Sequence, residues 1–413
     1  MKQLLKLTVA AAFERLLAAV SPLDPVSLPL EESVGLTLAE DIAATDDSPP
    51  FDKALMDGYA VRSADLADGS ALLNVVDLIT AGHVPTKPVA SNEAIQIMTG
   101  APIPAGADLV IKVEESSREG DRVRLTTQSL RPGTNILRQG TSVRAGVIVL
   151  QQGLKLNGAR IGALAELGRA RILVHRRPTV AVLATGDELV PIDQQPGPGQ
   201  IRNSNQSMLV AQIQAAGAIA IPLGMARDDR EELRSKIDAG LKSDLLVLSG
   251  GVSAGTLDLV PSELATAGVR EVFHGVEMKP GKPVWFGSRV SGQHDSNSGS
   301  QSRYVFGLPG NPVSSLVCCE LFVRTAIRRL MGEAVVLPQP IAARLEHDFN
   351  ARADRPTYHP ARLTWTPDGP RVTLVPWHGS SDLCGTVAAN AMALLSGEAR
   401  QYQVGMALET FAW

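Results

Sequence analysis

The sequence predicts a multidomain α/β-plus-β protein built around a central, doubly wound parallel sheet. At 413 residues the chain exceeds what one ordinary core accommodates. Between residues 177 and 333, apolar strand-like runs alternate with segments of helical period, the signature of βαβ units. On either side of that region the apolar runs shorten and turn residues crowd between them, which indicates β-rich domains. A hydrophobic content of 44% and a charged content of 20% are ordinary for a globular chain. The formal net charge of −4 argues for neither a nucleic-acid nor a membrane partner.

Taken in order, the N-terminal stretch MKQLLKLTVAAAFERLLAAV has its apolar run broken by Glu14 and Arg15, and no cleavage site follows. Val9, Phe13, Leu16, Leu17 and Val20 recur at helical spacing, so an amphipathic helix is expected rather than a targeting peptide. Nowhere does the chain approach the roughly 20 apolar residues of a membrane span. Residues 45–57, rich in Pro and Asp, mark a boundary; from 58 to 150 GSALLNVVDLI, EAIQIMTG, DLVIKVEE and DRVRLTT read as short strands. RPTVAVLATGDELV (177–190) is a buried strand ending at Thr185-Gly186. SNQSMLVAQIQAAG (204–217) is a helix that stops at glycine. AIAIPLGMARDD (218–229) is a strand and loop, REELRSKIDAGLKS (230–243) a helix with a charged face, and DLLVLSGG the next strand. YVFGLPGNPVSSLVCCELFV (304–323) is strand, Pro/Gly loop and helix; an insertion at 289–302, mostly Ser, Gly, Asn and Gln, reads as a flexible loop. After Leu330 short strands return, as in a small C-terminal β-domain. The 3 cysteines, Cys318, Cys319 and Cys384, lack metal-site spacing, and their odd number argues against a disulfide framework, which suits a reducing cytoplasm.

Ligands of open α/β sheets collect beyond the carboxyl ends of the strands. There the sequence places Thr185, Gly186, Asp187 and Glu188; Arg227, Asp228 and Asp229; Ser249, Gly250, Gly251, Ser253 and Asp258; and Gly307 through Ser314, including Pro309, Gly310 and Asn311. Glycine lets backbone N–H groups approach a phosphate, and carboxylates hold a divalent metal that bridges to it. The set therefore reads as a site for a phosphate-bearing ligand and Mg²⁺. The turn VEMKPGKPVWFG (276–287) adds Lys279 and Lys282, which form an oxyanion site or are solvated lysines on a hairpin. Walker A and dinucleotide fingerprints are absent. Gly251-Val252-Ser253-Ala254-Gly255 matches a nucleophile elbow, with Asp258 and His274 later in hydrolase order. Triad partners, however, normally come from separate, later strands rather than a few residues on. The 7 histidines are scattered, against a zinc cluster, and a structural or exposed role is the simpler reading of His274.

Six stretches in order, SPPFDKALMDGYAV, IMTGAPIPAGADLVIKVEE, ATGDEL, SGGVSAG, MKPGKP and GLPGNPVSS, resemble those of the MoeA family, the molybdopterin molybdenumtransferases, to which the C-terminal part of gephyrin is related. The resemblance runs over nearly the whole chain. It implies an enzyme of molybdenum cofactor biosynthesis that binds adenylylated molybdopterin and molybdate, cleaves the phosphoanhydride with Mg²⁺, releases AMP and places molybdenum on the dithiolene. It implies a homodimer of four-domain chains: an elongated scaffold (1–45 and 140–176), a small β-rich domain (46–139), an α/β domain like that of the adenylylating partner MogA (177–333) and a C-terminal β-barrel (334–413). The site would lie between the α/β domain of one chain and the β-rich domain of the other. Carried over by motif, Asp57 and Thr99 would reach in from the second chain, although Asp57-Gly58 is also a common turn pair. Asp187, Glu188 and Asp228 would hold the metal and, with Asp258, serve the phosphate. Lys279, Lys282 and Pro283 would take molybdate, with Ser314 nearby, and Gly186, Ser249, Gly250, Gly251, Ser253, Pro309, Gly310 and Asn311 would line the nucleotide. Partners implied are a MogA-type adenylyltransferase and molybdoenzyme apoproteins, in the cytoplasm, with no nucleic acid or membrane.

The sequence also departs from the family pattern. Thr141 and Ser142 stand where the family usually has Glu-Asp, and they bring no charge. Pro360 in YHPAR stands where an Arg is usual, Gly385 where a Ser is usual, and Thr256-Leu257 where Glu-Ala is commoner. Three functions follow: an active insertase, a diverged paralogue that binds the pterin nucleotide but inserts metal poorly or uses tungstate, or a gephyrin-like scaffold.

Overall fold

The computed structural model describes residues 7–66, 69–128, 130–252, 259–289, 302–351, 354–398 and 401–413. The chain divides into two compact units, one made of 1–39, 153–157 and 171–413, the other of 40–152 and 158–170.

The first unit is built on a six-stranded sheet. Its strands are β1 (Thr179–Thr185), β2 (Ile219–Ala226), β3 (Leu245–Ser249), β4 (Arg270–His274), β5 (Trp285–Arg289) and β6 (Arg303–Leu308), in the order β2-β1-β3-β6-β5-β4. β2, β1, β3 and β6 are parallel, as the alternating pattern requires. β5 runs antiparallel to β6, and β4 antiparallel to β5, so the parallel strands expected from sequence are extended by an antiparallel pair into a mixed sheet. The reason is local: the MKPGKP turn joins β4 to β5 without a crossover helix, and only antiparallel neighbours accept so short a link. The reversal has a consequence for function. Trp285, at the start of β5, pairs with Gly307 near the end of β6, and His274 pairs with Trp285. The connection 275–284 therefore emerges at the same rim as the carboxyl ends of β1, β2, β3 and β6.

β1 and β3 are continuous apolar runs because helices cover both faces of the sheet. On one face, Leu16 of α1 (Val9–Ala19), Leu209 and Ile213 of α2 (Ser204–Ala215), and Val317 and Ile327 pack on Val180, Val182, Phe286 and Phe306. On the other, Leu233 and Ile237 of α3 (Arg230–Gly240) and Val260 and Leu264 of α4 (Val260–Thr266) pack on Leu183, Leu246 and Leu248. α1 is the amphipathic helix its spacing predicts, capped by the Thr8 hydroxyl, which accepts from the Ala11 N–H. α3 is capped by Asp229, whose carboxylate accepts from the N–H groups of Glu231 and Glu232 at 3.0 and 2.9 Å. α5 (Pro312–Cys318) runs through a π-helical turn at Cys319–Val323 into α6 (Arg324–Leu330). The same unit carries a closed barrel formed by Ile341–Leu345, Gly369–Leu374, Thr357–Thr366, Ala391–Leu395 and Ala407–Ala412. Cys318, Cys319 and Cys384 are free thiols.

The second unit holds a six-stranded sheet of Gly58–Val61, Ser70–Ile79, Glu93–Ile97, Leu109–Lys112, Ser116–Glu119 and Arg122–Thr126, with apolar cores on both faces. The insertion residues 290–301 lie outside the described residues. Among the described residues no helix is long and apolar enough to cross a membrane.

Candidate functional site

At the rim, β1 ends on Thr185 and the chain turns through Gly186. Its φ of +144° favours glycine, and a Cβ there would stand 2.4 Å from a Glu188 carboxylate oxygen. The Gly186 N–H donates to the Ala226 carbonyl at the end of β2 (3.2 Å), and the Asp228 N–H donates to Asp187 Oδ1 (3.1 Å). The first two turns are thereby laid side by side, with Asp187, Glu188 and Asp228 exposed on them. β3 ends on Ser249, buried, and passes through Gly250 (φ +100°) and Gly251 (φ +63°). A Cβ on Gly250 would lie 2.4 Å from the Thr185 carbonyl oxygen, so the turn closes on the β1 end as only glycine allows. The Gly250 N–H donates to the Leu308 carbonyl (3.0 Å), which brings in the fourth turn, Pro309-Gly310-Asn311. Asn311 Nδ2 donates to Ser380 Oγ at 3.0 Å, and Ser314 is buried in α5 behind the turn.

The two turn lysines part company. Lys279 lines a cavity of about 340 Å³ with Phe349, Asn350, Thr357, His359, Trp377 and His378 of the barrel. Its backbone is fixed there: the Lys279 N–H donates to the Pro356 carbonyl (2.9 Å) and its carbonyl accepts from the Tyr358 N–H (2.7 Å). Lys282 is exposed, Pro283 half-buried. Gly281 seats the turn on α5, for a Cβ there would meet Cys318 Sγ at 2.5 Å. Burial pushes the His359 imidazole below its ordinary pKa; the bond to the Pro360 carbonyl opposes it, and the His347 and Lys279 charges push the same way as burial. His378 Nδ1 stands 3.0 Å from Asp382 Oδ2.

In the second unit, the Thr99 N–H and hydroxyl both donate to Asp57 Oδ1 at 2.6 Å. These bonds, the hydroxyl's first, hold the Asp57 carboxyl below the usual carboxylate range. Asp57 and Thr99 are thus in contact within one chain, while Gly58 opens a strand rather than completing an Asp-Gly turn. Gly58 follows because a Cβ there would fall 1.9 Å from the Ile111 carbonyl oxygen. Ser253 and Asp258 lie outside the described residues. His274 Nε2 is 3.1 Å from the Val252 carbonyl, the structural role its sequence reading favoured.

Residues 7–168 match the family described as MoeA N-terminal region (domain I and II), and residues 181–329 match the one described as Probable molybdopterin binding domain. A molybdopterin molybdenumtransferase of Staphylococcus epidermidis is 35% identical over 407 residues, 97% of this chain and 94% of that one. This chain belongs to the MoeA family. A Staphylococcus aureus molybdopterin molybdenumtransferase is 33% identical over 409 residues, covering 96% and 93% of the two chains. Among solved structures, the molybdopterin biosynthesis MoeA protein of Pyrococcus horikoshii OT3 superposes with a TM-score of 0.82 at 28% identity, covering 99% of this chain and 100% of that one. The MoeA-type architecture, α/β plus β with a closed C-terminal barrel, is the one described above.

Of the positions where this MoeA chain departs from the family pattern, Thr256-Leu257 lies outside the described residues, and the others have these local surroundings. The Thr141 hydroxyl donates to the Arg138 carbonyl (2.6 Å) and closes its own turn, while the Ser142 N–H donates to the Ser48 carbonyl (2.9 Å). Pro360 sits inside a barrel strand, and its carbonyl accepts from the Val375 N–H (3.1 Å). At Gly385 a Cβ would stand 2.4 Å from an Asp382 carboxylate oxygen, and the Gly385 N–H donates to the other at 3.0 Å. A serine there would push aside the carboxylate that pairs with His378.

Among the described residues no group of three His, Cys, Asp or Glu side chains is gathered closely enough to hold a metal ion. Asp187, Glu188 and Asp228 are hard oxygen donors on adjoining turns rather than a closed cage. That suits Mg²⁺, which takes one or two carboxylates and lets substrate phosphates and water complete its shell. Sequence reasoning missed Asn205, whose amide touches two of the glycine turns, and the barrel residues His359, Trp377 and His378 beside Lys279. A polar side chain in the first turn of a helix just after its cap is the only sequence signal for Asn205. The barrel residues gave none, because their approach to Lys279 is tertiary.

Proposed function

We propose that this MoeA-family chain is a molybdopterin molybdenumtransferase of molybdenum cofactor biosynthesis that takes adenylylated molybdopterin and molybdate and releases AMP. The observation that carries this reading is the set of backbone ties at one rim, where the Asp228 N–H meets Asp187 and the Gly250 N–H meets Leu308. Gly186, Ser249, Gly250, Gly251, Pro309, Gly310 and Asn311 receive the phosphates, with Ser253 and Asp258 assigned by motif alone. Asp187, Glu188 and Asp228 would hold Mg²⁺, which when bound neutralises charge on the departing phosphate. Lys279, directed to the barrel cavity, takes the molybdate oxyanion, with Lys282, Pro283 and Ser314 around the same turn. Asp57, ionised and oriented by Thr99, acts from a second copy of the chain in a homodimer. The four-domain division given above, a reducing cytoplasm, and exchange with a MogA-type adenylyltransferase and molybdoenzyme apoproteins belong to the same reading.

Incubating purified protein with adenylylated molybdopterin, molybdate and Mg²⁺ tests it. AMP release that requires both molybdate and Mg²⁺ is expected; AMP no higher than in a protein-free control rejects it. A second reading, a paralogue that binds the nucleotide but inserts metal poorly, is favoured by Thr141, whose hydroxyl is already spent on Arg138. It predicts nucleotide binding without AMP release.

A further inference from the structure

Asn205 stands in the first turn of α2, one residue beyond Ser204 and two beyond the cap residue Asn203. Its Nδ2 donates to Ser249 Oγ at 2.7 Å and to the Gly310 carbonyl at 2.8 Å. A carbonyl only accepts, so the nitrogen must face Gly310 and the amide has one orientation. One side chain therefore ties the turn after β3 to the turn after β6. Both turns are rich in glycine, whose freedom must be restrained before their N–H groups converge on a ligand. The flanks of the second turn are held by the Ser315 hydroxyl on the Pro309 carbonyl and by Asn311 Nδ2 on Ser380 Oγ. Gly310 itself is exposed, the nearest atom to a Cβ built there is Gly250 Cα at 3.8 Å, and Asn205 is the side chain that holds its carbonyl.

A second observation points to a ligand at the same place. Asn205 Oδ1 and Thr185 Oγ1 are buried and have no hydrogen-bond partner among the described residues. Thr185 as a whole is only 4% exposed, and its hydroxyl lies 3.0 Å from where a Cβ on either Gly250 or Gly251 would sit. Folded proteins rarely leave buried polar atoms unpaired, so these two call for a partner, water or ligand, at the turn.

We propose that Asn205 is a positioning residue for the phosphates of the bound nucleotide: its amide sets the separation of the Ser249-Gly250-Gly251 and Pro309-Gly310-Asn311 turns, so that both engage one phosphoanhydride. This rests on the nucleotide-binding reading above. A purely architectural tie would affect stability alone, whereas a positioning tie affects phosphate affinity.

The test is calorimetric titration of the full chain with inorganic pyrophosphate and, separately, AMP, each with Mg²⁺, alongside thermal melting. Asn205→Ala is expected to weaken pyrophosphate by about tenfold, the scale of one lost hydrogen-bonded contact, and AMP, whose single phosphate has no anhydride to span the two turns, by less. Asn205→Asp, equal in size but setting a carboxylate against the Gly310 carbonyl, is expected to weaken both further. Ser249→Ala removes only the acceptor and is expected to be non-additive with Asn205→Ala; it also serves where an Asn205 variant fails to fold. Unchanged affinity in Asn205→Ala or Asn205→Asp overturns the proposal even if the melting temperature falls. An unsubstituted chain that binds neither ligand overturns the nucleotide reading and this one with it; binding that the Asn205 variants retain overturns this one alone.

Discussion

Gly250 shows how one residue type serves backbone and site together. Its φ of +100° is poorly tolerated by other residues, and a Cβ would lie 2.4 Å from the Thr185 carbonyl oxygen. Gly250→Ala is therefore expected to cost about 2 kcal/mol or more, seen as a lower melting temperature, and to weaken pyrophosphate binding. Asp187 illustrates the reverse case, an exposed side chain whose loss the fold tolerates. Asp187→Asn keeps an oxygen for the Asp228 N–H but loses the charge, so AMP release is expected to fall by about a hundredfold or more with the fold intact. Turnover equal to the unsubstituted chain's removes Asp187 from the metal role. Asp57 is set by a neighbour. Since the Thr99 hydroxyl is the main cause of its lowered pKa, Thr99→Val is expected to move that pKa up toward the ordinary range, measurable by carboxyl-carbon NMR titration. A pH profile limited by ionised Asp57 would then lose activity at a higher pH than before.

Elements are held at the opposite end of the sheet from the site. Asp244, 4% exposed, precedes β3 and accepts from Arg176 at 2.7 and 2.8 Å and from the Thr179 N–H and hydroxyl at 2.8 and 2.9 Å. Burial pushes its pKa up, but the Arg176 and Thr179 bonds together with the Arg176 charge outweigh it, and the net shift is downward. A depressed folded-state pKa means that this stabilisation is complete above the unfolded carboxyl pKa and is lost as pH falls through the folded one. Asp244→Ala is expected to destabilise by about 2–3 kcal/mol in denaturant unfolding at pH 7, and by less in acid. A loss independent of pH would assign the effect to packing. The β4–β5 hairpin is the other decisive element. By reversing strand direction it delivers Lys279 to the rim where the parallel strands end, a placement that a crossover helix would not give.

At the scale of the whole molecule the proposed site draws on two copies of the chain, which makes it testable by mixing. In a twofold dimer, a subunit carrying Asp57→Asn paired with one carrying Asp187→Asn rebuilds one intact site of the two. Coexpressed variants, each inactive alone, are therefore expected to recover about a quarter of the unsubstituted activity, since random pairing makes about half the dimers mixed. No recovery, with dimers confirmed by light scattering, rejects a site shared between subunits.

The strands and helices of the central sheet, the glycine turns at its rim and the carboxylates on them were legible in the sequence, because period, burial and turn chemistry are local properties. The apolar runs of β1 and β3, the helical spacing in α1 and the turns at Gly186, Gly250 and Gly310 needed no partner to be recognised. The separation of Lys279 from Lys282, the reach of Asn205 across two turns and the barrel residues around Lys279 were decided only by tertiary structure. Each depends on which distant segment a group meets, and hydrogen-bond partners brought together by folding leave no trace in the spacing of either segment alone.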